Sequence, residues 1–421
     1  AEADTLRVRL GYRWIFAPGW TVFASAEGIG NFGSGGYNTT ANGNTAYPVI
    51  ADPPGTEWDE AWLGWNGNPK FEARLGRQKL ILDNARFFGN VGWRQNQQTF
   101  DAAMLAWKPA APWALRYLYL DQANRVFGNT NPNPLLAEYD LDANLLNASW
   151  TQPWGQVVGY GYFVDNQDLP LSSTRTLGLR LTAKHALSPA WTVGVAAEYA
   201  DQSPYADGAD INDASYVLVE PWAAWRGHTF KAGYEVLGGD GRYGFATPFA
   251  TLHIFNGWAD KFLTTPATGL RDAYLGASGP IAAGWNYGLW WHDFEADDGG
   301  ASYGQELDAS LGRGFAKHWS VLFKFADYQA DDFARDTQKV WIQLEYVLSA
   351  LACRGTCRCI DPARPGLRGG SGSSPASCPR PSSPWLAPRR GPGRACRCAT
   401  CGRRPTRARH RCGARRARSA S

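Results

Sequence analysis

Cysteine is absent from the first 348 residues of this 421-residue chain, and all eight cysteines fall at or beyond Cys353. The body therefore has no disulfide framework and no thiol to mispair, which suits a protein that crosses an oxidising compartment. Long apolar runs are absent too. No window stays apolar for the roughly eighteen residues that a membrane-spanning helix needs. Histidine is scarce, and the six residues form no H-x-x-x-H pair. There is no G-x-S-x-G and no phosphate loop, so the signatures of helix-borne zinc hydrolases, nucleophile-elbow hydrolases and P-loop enzymes are missing.

What is present is strict alternation. In Thr174 to Tyr199, Leu177, Leu179 and Leu181 alternate with Thr176, Gly178, Arg180, Thr182 and Lys184. Ser188-Pro189-Ala190 turns the chain, and Trp191, Val193, Val195, Ala197 and Tyr199 then alternate with Thr192, Gly194, Ala196 and Glu198. Each strand so read has one apolar face and one face suited to water. Units of this kind recur from Asp4 to Leu348, which is the pattern of an antiparallel transmembrane β-barrel. A bilayer demands that backbone groups pair internally, and only helices and closed barrels achieve that. Nineteen of the twenty tryptophans precede residue 349, as aromatic belts at the two membrane surfaces require. A soluble sandwich or propeller would need a blade-like repeat, and none appears.

Seventeen strands are expected, among them 57–65, 71–82, 98–107, 113–122, 270–278 and 337–348. Short turns such as Ala17-Pro18-Gly19 and Gly67-Asn68-Pro69 follow the odd strands, and longer segments follow the even ones. Short turns are periplasmic and long loops extracellular in bacterial barrels, whose strand count is even. The expectation is an all-β barrel of about 18 strands in the complete protein, with one strand and its loop preceding Ala1. Ala1 to Leu6 also holds no charged or apolar export signal, which is expected to have been removed or to lie upstream.

The charge balance divides the chain in two. From Ser349 onward there are seventeen arginines and one acid, Asp361; the 42 basic and 38 acidic residues of the whole chain thus leave 25 and 37 before it. The body (1–348) is near −12 and the tail (349–421) near +16. The tail is rich in Arg, Pro, Gly, Ser and Cys and lacks apolar periodicity, so it cannot bury a core. Three readings compete: a zinc site at Cys396, Cys398 and Cys401, a phosphate-binding basic tail, and out-of-frame translation of GC-rich DNA. The expectation is the last, a disordered tail without native function and without a nucleic-acid partner.

Alternation also assigns a lumen face. Its basic candidates are Arg7, Arg9, Arg13, Arg74, Arg180, Lys184, Lys231 and Lys324, and its acidic ones Glu27, Glu198, Glu235, Glu306, Asp308 and Glu345. Rings or ladders of charge set a pore's ion preference, although such groups can also pair with one another and merely keep the wall polar. The phase is ambiguous in 57–65, 98–107, 113–122 and 270–278. His292 beside Asp293 and His228 near a turn are the candidate bases. Asp297-Asp298 and Asp331-Asp332 are the acidic loop pairs that could hold calcium, with solvated loop charge as the alternative.

One segment is more specific. It reads Gly76-Arg77-Gln78-Lys79-Leu80, then Asp83 to Asn96 with Arg86-Phe87-Phe88-Gly89 and Trp93-Arg94-Gln95-Asn96, then Thr99-Phe100-Asp101. This constellation resembles the alginate export family of outer-membrane porins. The resemblance implies an 18-stranded barrel that secretes a polyuronate through an arginine-lined pore. It places Arg86, Trp93, Arg94 and Gln95 at the extracellular mouth. There Arg86 and Arg94 could pair with wall carboxylates or meet those of the polymer, since arginine binds carboxylates bidentately. Arg77 would brace the loop. The periplasmic turns are all short, which leaves no periplasmic plug.

The resulting expectation is an outer-membrane channel, not an enzyme and without a cofactor. It would pass an anionic saccharide such as alginate, or a related small solute. Its partners would be the bilayer and lipopolysaccharide, the anionic saccharide and the outer-membrane assembly machinery. The alternatives are a structural or adhesive barrel and an outer-membrane hydrolase. The longest loop is too short to dominate as an adhesin's would, and no Ser, His and acid converge.

Overall fold

Period-two alternation puts successive side chains on opposite faces of a strand. In the computed structural model this pattern builds one seventeen-stranded sheet, and the structure describes residues 1–33 and 36–348. The strands are β1 (Thr5–Ala17), β2 (Trp20–Asn31), β3 (Gly55–Asn68), β4 (Phe71–Gln78), β5 (Thr99–Trp107), β6 (Trp113–Asn124), β7 (Glu138–Gln152), β8 (Gly155–Asn166) and β9 (Thr174–Ala186). They continue with β10 (Trp191–Pro204), β11 (Ala214–Trp225), β12 (His228–Leu237), β13 (Leu270–Pro280), β14 (Trp285–Glu295), β15 (Ser302–Phe315), β16 (Trp319–Ala330) and β17 (Thr337–Tyr346). Each pairs antiparallel with the next along the chain. Among the described residues no ladder joins β1 to β17. The cysteine-rich tail of the sequence reading lies outside the described residues.

The outward face is apolar. Leu177, Leu179, Val219, Leu275, Leu289 and Leu307 are exposed, as a lipid-facing band requires. Aromatic pairs ring the short-turn end, including Phe71–Trp107, Trp113–Trp150, Trp191–Trp225 and Trp319–Tyr346. Their amphipathic rings match the membrane–water interface. The turns there are tight. Arg226 and Gly227 have φ of 47° and 91° between the paired Trp225 and His228. A two-residue hairpin turn with both φ values positive suits the twist of the flanking strands, and glycine makes the second position free of strain.

Two expectations about phase and length have physical corrections. The strand read as 71–82 leaves the ladder at Gln78, because Lys79 to Leu82 turn inward and bury Leu80 and Leu82. The last strand ends at Tyr346 rather than Leu348. The ambiguous phases have a cause too. A bulge between Ser25 and Ala26 of β2 leaves Asp59 as an extra residue of β3, so the adjacent Asp59 and Glu60 are both buried. Asp121 of β6 is likewise an extra residue, skipped between the pairs Asp101–Gln122 and Ala102–Leu120, and it interrupts alternation in β6. One inserted residue flips every side chain beyond it.

The core lies inside the barrel. Leu80, Leu82, Phe87 and Phe88 of the 79–98 loop pack with Phe245, Phe249, Ala259 and Phe262 of the 238–269 loop. The wall contributes Leu118, Leu145, Tyr160, Tyr162, Tyr216 and Tyr328. Two long loops thus fold into the lumen and cover the inward apolar residues of the strands.

Candidate functional site

The two inward loops meet through backbone and side-chain bonds. Gly89 N–H donates to the Phe249 carbonyl (2.8 Å), and Thr251 N–H donates to that of Ala85 (3.0 Å). The Gln98 side-chain amide donates to the carbonyls of Gly89 and Phe249, both at 2.9 Å. Glycine is needed at position 89 because a Cβ would lie 2.0 Å from Thr251 Oγ1. Phe87 then enters a nest of Tyr160, Tyr162, Tyr216 and Phe245, with ring centroids 5.4–6.0 Å away.

Charge fixes the loops to the wall at two places. Arg86, only 1% exposed, ion-pairs with Glu235 of β12 at 2.9 Å. It also donates to Asn256 (3.0 Å) and lies over the Phe255 ring (4.7 Å). Glu235 accepts from Tyr216 Oη at 2.6 Å. Asn256 bridges Glu235 (2.7 Å) to Asp272 (3.0 Å), which pairs with His292 (2.9 Å). His292 is therefore engaged across strands by Asp272, and not by its neighbour Asp293.

The second place lies between β16, β17 and both loops. Asp260 receives Arg94 (3.2 Å), Lys339 (3.0 Å) and His253 Nδ1 (2.7 Å). Lys324 Nζ sits 2.7 Å from His253 Nε2. An ammonium only donates, so Nε2 accepts and Nδ1 carries the proton given to Asp260. His253 stacks on Trp93 at 4.8 Å. Lys324 lies over Trp258 (3.8 Å), Trp93 (4.1 Å) and Trp341 (5.4 Å). Burial holds the His253 pKa down at about 4, against the upward pull of Asp260. Burial works upward on Asp260, but His253, Lys339 and Arg94 outweigh it and hold that carboxyl below its ordinary range.

The sequence-derived lumen residues sort into groups. Arg9 pairs with Glu27 and with Asp59 (3.1 Å). Arg180 pairs with Glu198, which also accepts from Tyr160 (2.8 Å). Lys231 pairs with Glu220 (2.9 Å), Arg74 with Glu72 (3.2 Å), and Arg77 with Asp101 through two bonds of 2.8 Å. Arg7 donates to the carbonyls of Arg94 (3.2 Å) and Gln95 (3.1 Å), and Gln95 returns a bond to Thr5 (2.7 Å). The 79–98 loop therefore holds β1 as well as β12. Glu306 and Asp308 accept from the backbone of Ala259 (2.6 Å) and Trp258 (3.1 Å). Glu345 accepts weakly from Ser320 (3.5 Å). Arg13 lies over Phe23 at 5.7 Å. Arg13 and Lys184 have no carboxylate partner among the described residues, and Arg116 forms no ion pair there, although its charge reaches Asp83. Arg116 shares the inward phase of Leu118 and Leu120, which the bulge concealed from alternation.

Elsewhere His228 meets Tyr287 (3.2 Å), Asp297 meets Arg271 (2.9 Å) and Asp331 accepts from Ser302 (2.7 Å). Below the tip of the 79–98 loop, Asp83, Asn84, Gln156, Val158, Arg180 and Thr182 line a cleft of about 150 Å³. The 238–269 loop, with His253, Asn256 and Asp260, escaped the sequence reading because it carries no motif. Its long run of residues after an even strand was the one available signal.

Residues 50–120 match the model of the family described as alginate export. No curated protein matches the chain. Several solved barrels do. Pseudomonas aeruginosa OpdK, solved with vanillate, is 15% identical with a TM-score of 0.64, covering 81% of this chain and 92% of its own. Acinetobacter baumannii OccAB4 is 14% identical with a TM-score of 0.64 and coverages of 81% and 90%. Pseudomonas aeruginosa OccK9 (OpdG) is 15% identical with the same TM-score and coverages as OccAB4. By fold this chain is a β-barrel of the kind seen in these outer-membrane proteins, and its resemblance to the alginate export family lies in residues 50–120.

Proposed function

We propose that this barrel passes anionic saccharides, uronate chains such as alginate or related small carboxylated solutes, across the bacterial outer membrane. The observation that carries the reading is the charge left over in the lumen. Arg13 and Lys184 have no acidic partner among the described residues, while the inward acids Glu72 and Glu220 are each taken up by a cation. Glu306 and Asp308 are turned to the backbone of the 238–269 loop, so in the lumen below the loops a cation without a carboxylate favours anions. The match of residues 50–120 to the alginate export family supports the same solute class. The loops folded into the lumen favour short chains over free passage of a bulky polymer. A small aromatic acid is the second reading, because the similar barrel OpdK was solved with vanillate.

The test is conductance of the purified chain in a planar bilayer, with reversal potentials under a salt gradient and oligo-uronate added to either side. Anion-selective steps that oligo-uronates block support the reading. Cation selectivity, or a folded barrel that never conducts, overturns it; the latter leaves the structural or adhesive role.

A further inference from the structure

Six successive strands share one register line below the loops. It runs Lys184 (β9), Gly194 (β10), Trp222 (β11), Lys231 (β12), Gly276 (β13), Trp290 (β14). Residues directly opposite in neighbouring strands project to the same side of the sheet. The line therefore repeats one unit twice: a lysine, a glycine and a tryptophan. In both units the indole packs over the glycine. A Cβ would stand 2.4 Å from the Trp222 ring at Gly194, and 2.1 Å from the Trp290 ring at Gly276. Each ring is thereby laid along the wall toward the lysine of its own unit. Lys231 lies 5.9 Å from the centre of the Trp290 ring. Glu220 sets that position, holding Lys231 at 2.9 Å while Tyr274 Oη donates to its other oxygen at 2.7 Å. Lys184 is exposed, and its ammonium has no carboxylate partner among the described residues.

We infer that these two units are tandem subsites for carboxylated rings, with the ring's apolar face on the indole and its carboxylate on the lysine. The inference deepens the proposed passage of uronates and rests on that reading for its solute. Strands are about 4.8 Å apart, so equivalent points in the two units are about 14 Å apart along the line. Barrel strands tilt by roughly 40°, so a line crossing them at right angles climbs by about 9 Å along the axis over that distance. The units form a ramp through the lumen and not a ring at one depth. A solute held at one unit is displaced along the pore when it reaches the next. A single uronate fills one unit. An oligomer that reaches both gains from the second without a second encounter.

The experiment titrates a uronate series of increasing length, and benzoate, into the full chain in detergent by calorimetry. The same ligands are then scored as blockers in the planar bilayer. The expected result is weak binding of the monomer and a step in affinity at the first length that bridges the units. Trp222→Ala, Trp290→Ala and Lys184→Gln should each remove that step, lowering oligomer affinity on the order of tenfold. Trp222→Phe and Trp290→Phe should keep most of it, since the face is retained. Circular dichroism and heat-dependent gel mobility report folding, and the Phe variants remain informative should an Ala variant fail to fold. Affinity that rises smoothly with length and is indifferent to all five variants overturns the inference and leaves the rings as fillers of glycine notches. Benzoate binding as tightly as the bridging oligomer overturns it as well. A wild-type chain that shows the step yet never conducts keeps the subsites and removes the channel. A chain that conducts with uronate block unchanged in the variants keeps the channel and removes the subsites.

Discussion

Replacing Arg86 by alanine should release the two inward loops while leaving the barrel folded. Arg86 is 1% exposed in its side chain and Glu235 4%, so neither charge has water in reserve. Truncation leaves the Glu235 carboxylate buried with only Tyr216 and Asn256 as donors. Breaking a buried pair on one side costs about 3–5 kcal/mol, because a buried charge is left uncompensated. That shifts the docking equilibrium of the loops on the order of a hundredfold to a few thousandfold. The strand ladders do not pass through Arg86, so the cost falls on local opening and not on the sheet. Hydrogen exchange of residues 79–98 and 238–269 should accelerate by that factor, with strand amides unchanged, and single-channel conductance should rise and become noisy. Arg86→Met combined with Glu235→Gln removes the stranded charge and should recover most of the protection. Loop protection unchanged in Arg86→Ala refutes the argument. So does a double variant as open as the single one, since the cost would then not reside in the unpaired carboxylate.

The other loop-to-wall contact should respond to acid. His253 ordinarily titrates at 6.5 and is held at about 4 when the loop is docked. Above 6.5 neither state is protonated and docking is full; from 6.5 down to 4 only the undocked loop takes the proton, so docking weakens with falling pH by up to about 3 kcal/mol. Conductance noise or loop exchange that is flat over this range, or that persists in His253→Gln, would contradict this. Gly89→Val should separate the loops as Arg86→Ala does, because even a Cβ would lie 2.0 Å from Thr251 Oγ1; exchange rates at Ala85 and Thr251 report it. Leu179→Arg, on the exposed apolar face, should lower the folding stability in lipid by about 2–4 kcal/mol, whereas Thr182→Arg on the inward face should not; urea titration in vesicles separates the two.

The strands were legible because two different solvents act on their two faces, and period two leaves a trace wherever both are present. Leu177, Leu179 and Leu181 against Thr176, Gly178 and Arg180 is such a place. Where the pattern failed, the cause was local. The extra residue at Asp59 and the irregularity beside Asp121 each reset the phase, and Arg116 went unrecognised beyond one of them. The site was legible in part. The Gly76 to Asp101 constellation marked the loop, and the Arg77–Asp101 pair spans neighbouring strands 24 residues apart. Arg86 finds its partner 149 residues away, and Arg94 meets Asp260 at a separation of 166. No periodicity carries information across such distances. The cage around Lys324 draws Trp93, Trp258 and Trp341 from two loops and a strand, so its composition follows from the fold alone.

The placement of charge separates two tasks that the sequence presents as one. The arginines that stand out in alternation or motif, such as Arg9, Arg86, Arg94 and Arg180, spend their charge on carboxylates of the wall or the loops. A solute carboxylate can reach them only by displacing a partner that is already in place and buried, at the cost of leaving that partner unpaired. Such arginines hold the wall and the inward loops in shape. Lysine and arginine lower in the lumen face the opposite situation. Lys184 has no carboxylate to give up, and Lys231 holds Glu220 in a pair open to water, 33% and 16% exposed against 11% and 1% for Arg180 and Glu198, so displacing it leaves no fully buried charge. The cations that meet the solute are therefore those without a carboxylate or paired where water still reaches them. On the register line a tryptophan packed over a glycine stands two strands from each lysine, and Trp290 offers its ring 5.9 Å from the Lys231 ammonium. An anion that also carries an apolar ring face satisfies both halves of that surface, whereas an inorganic anion satisfies only one.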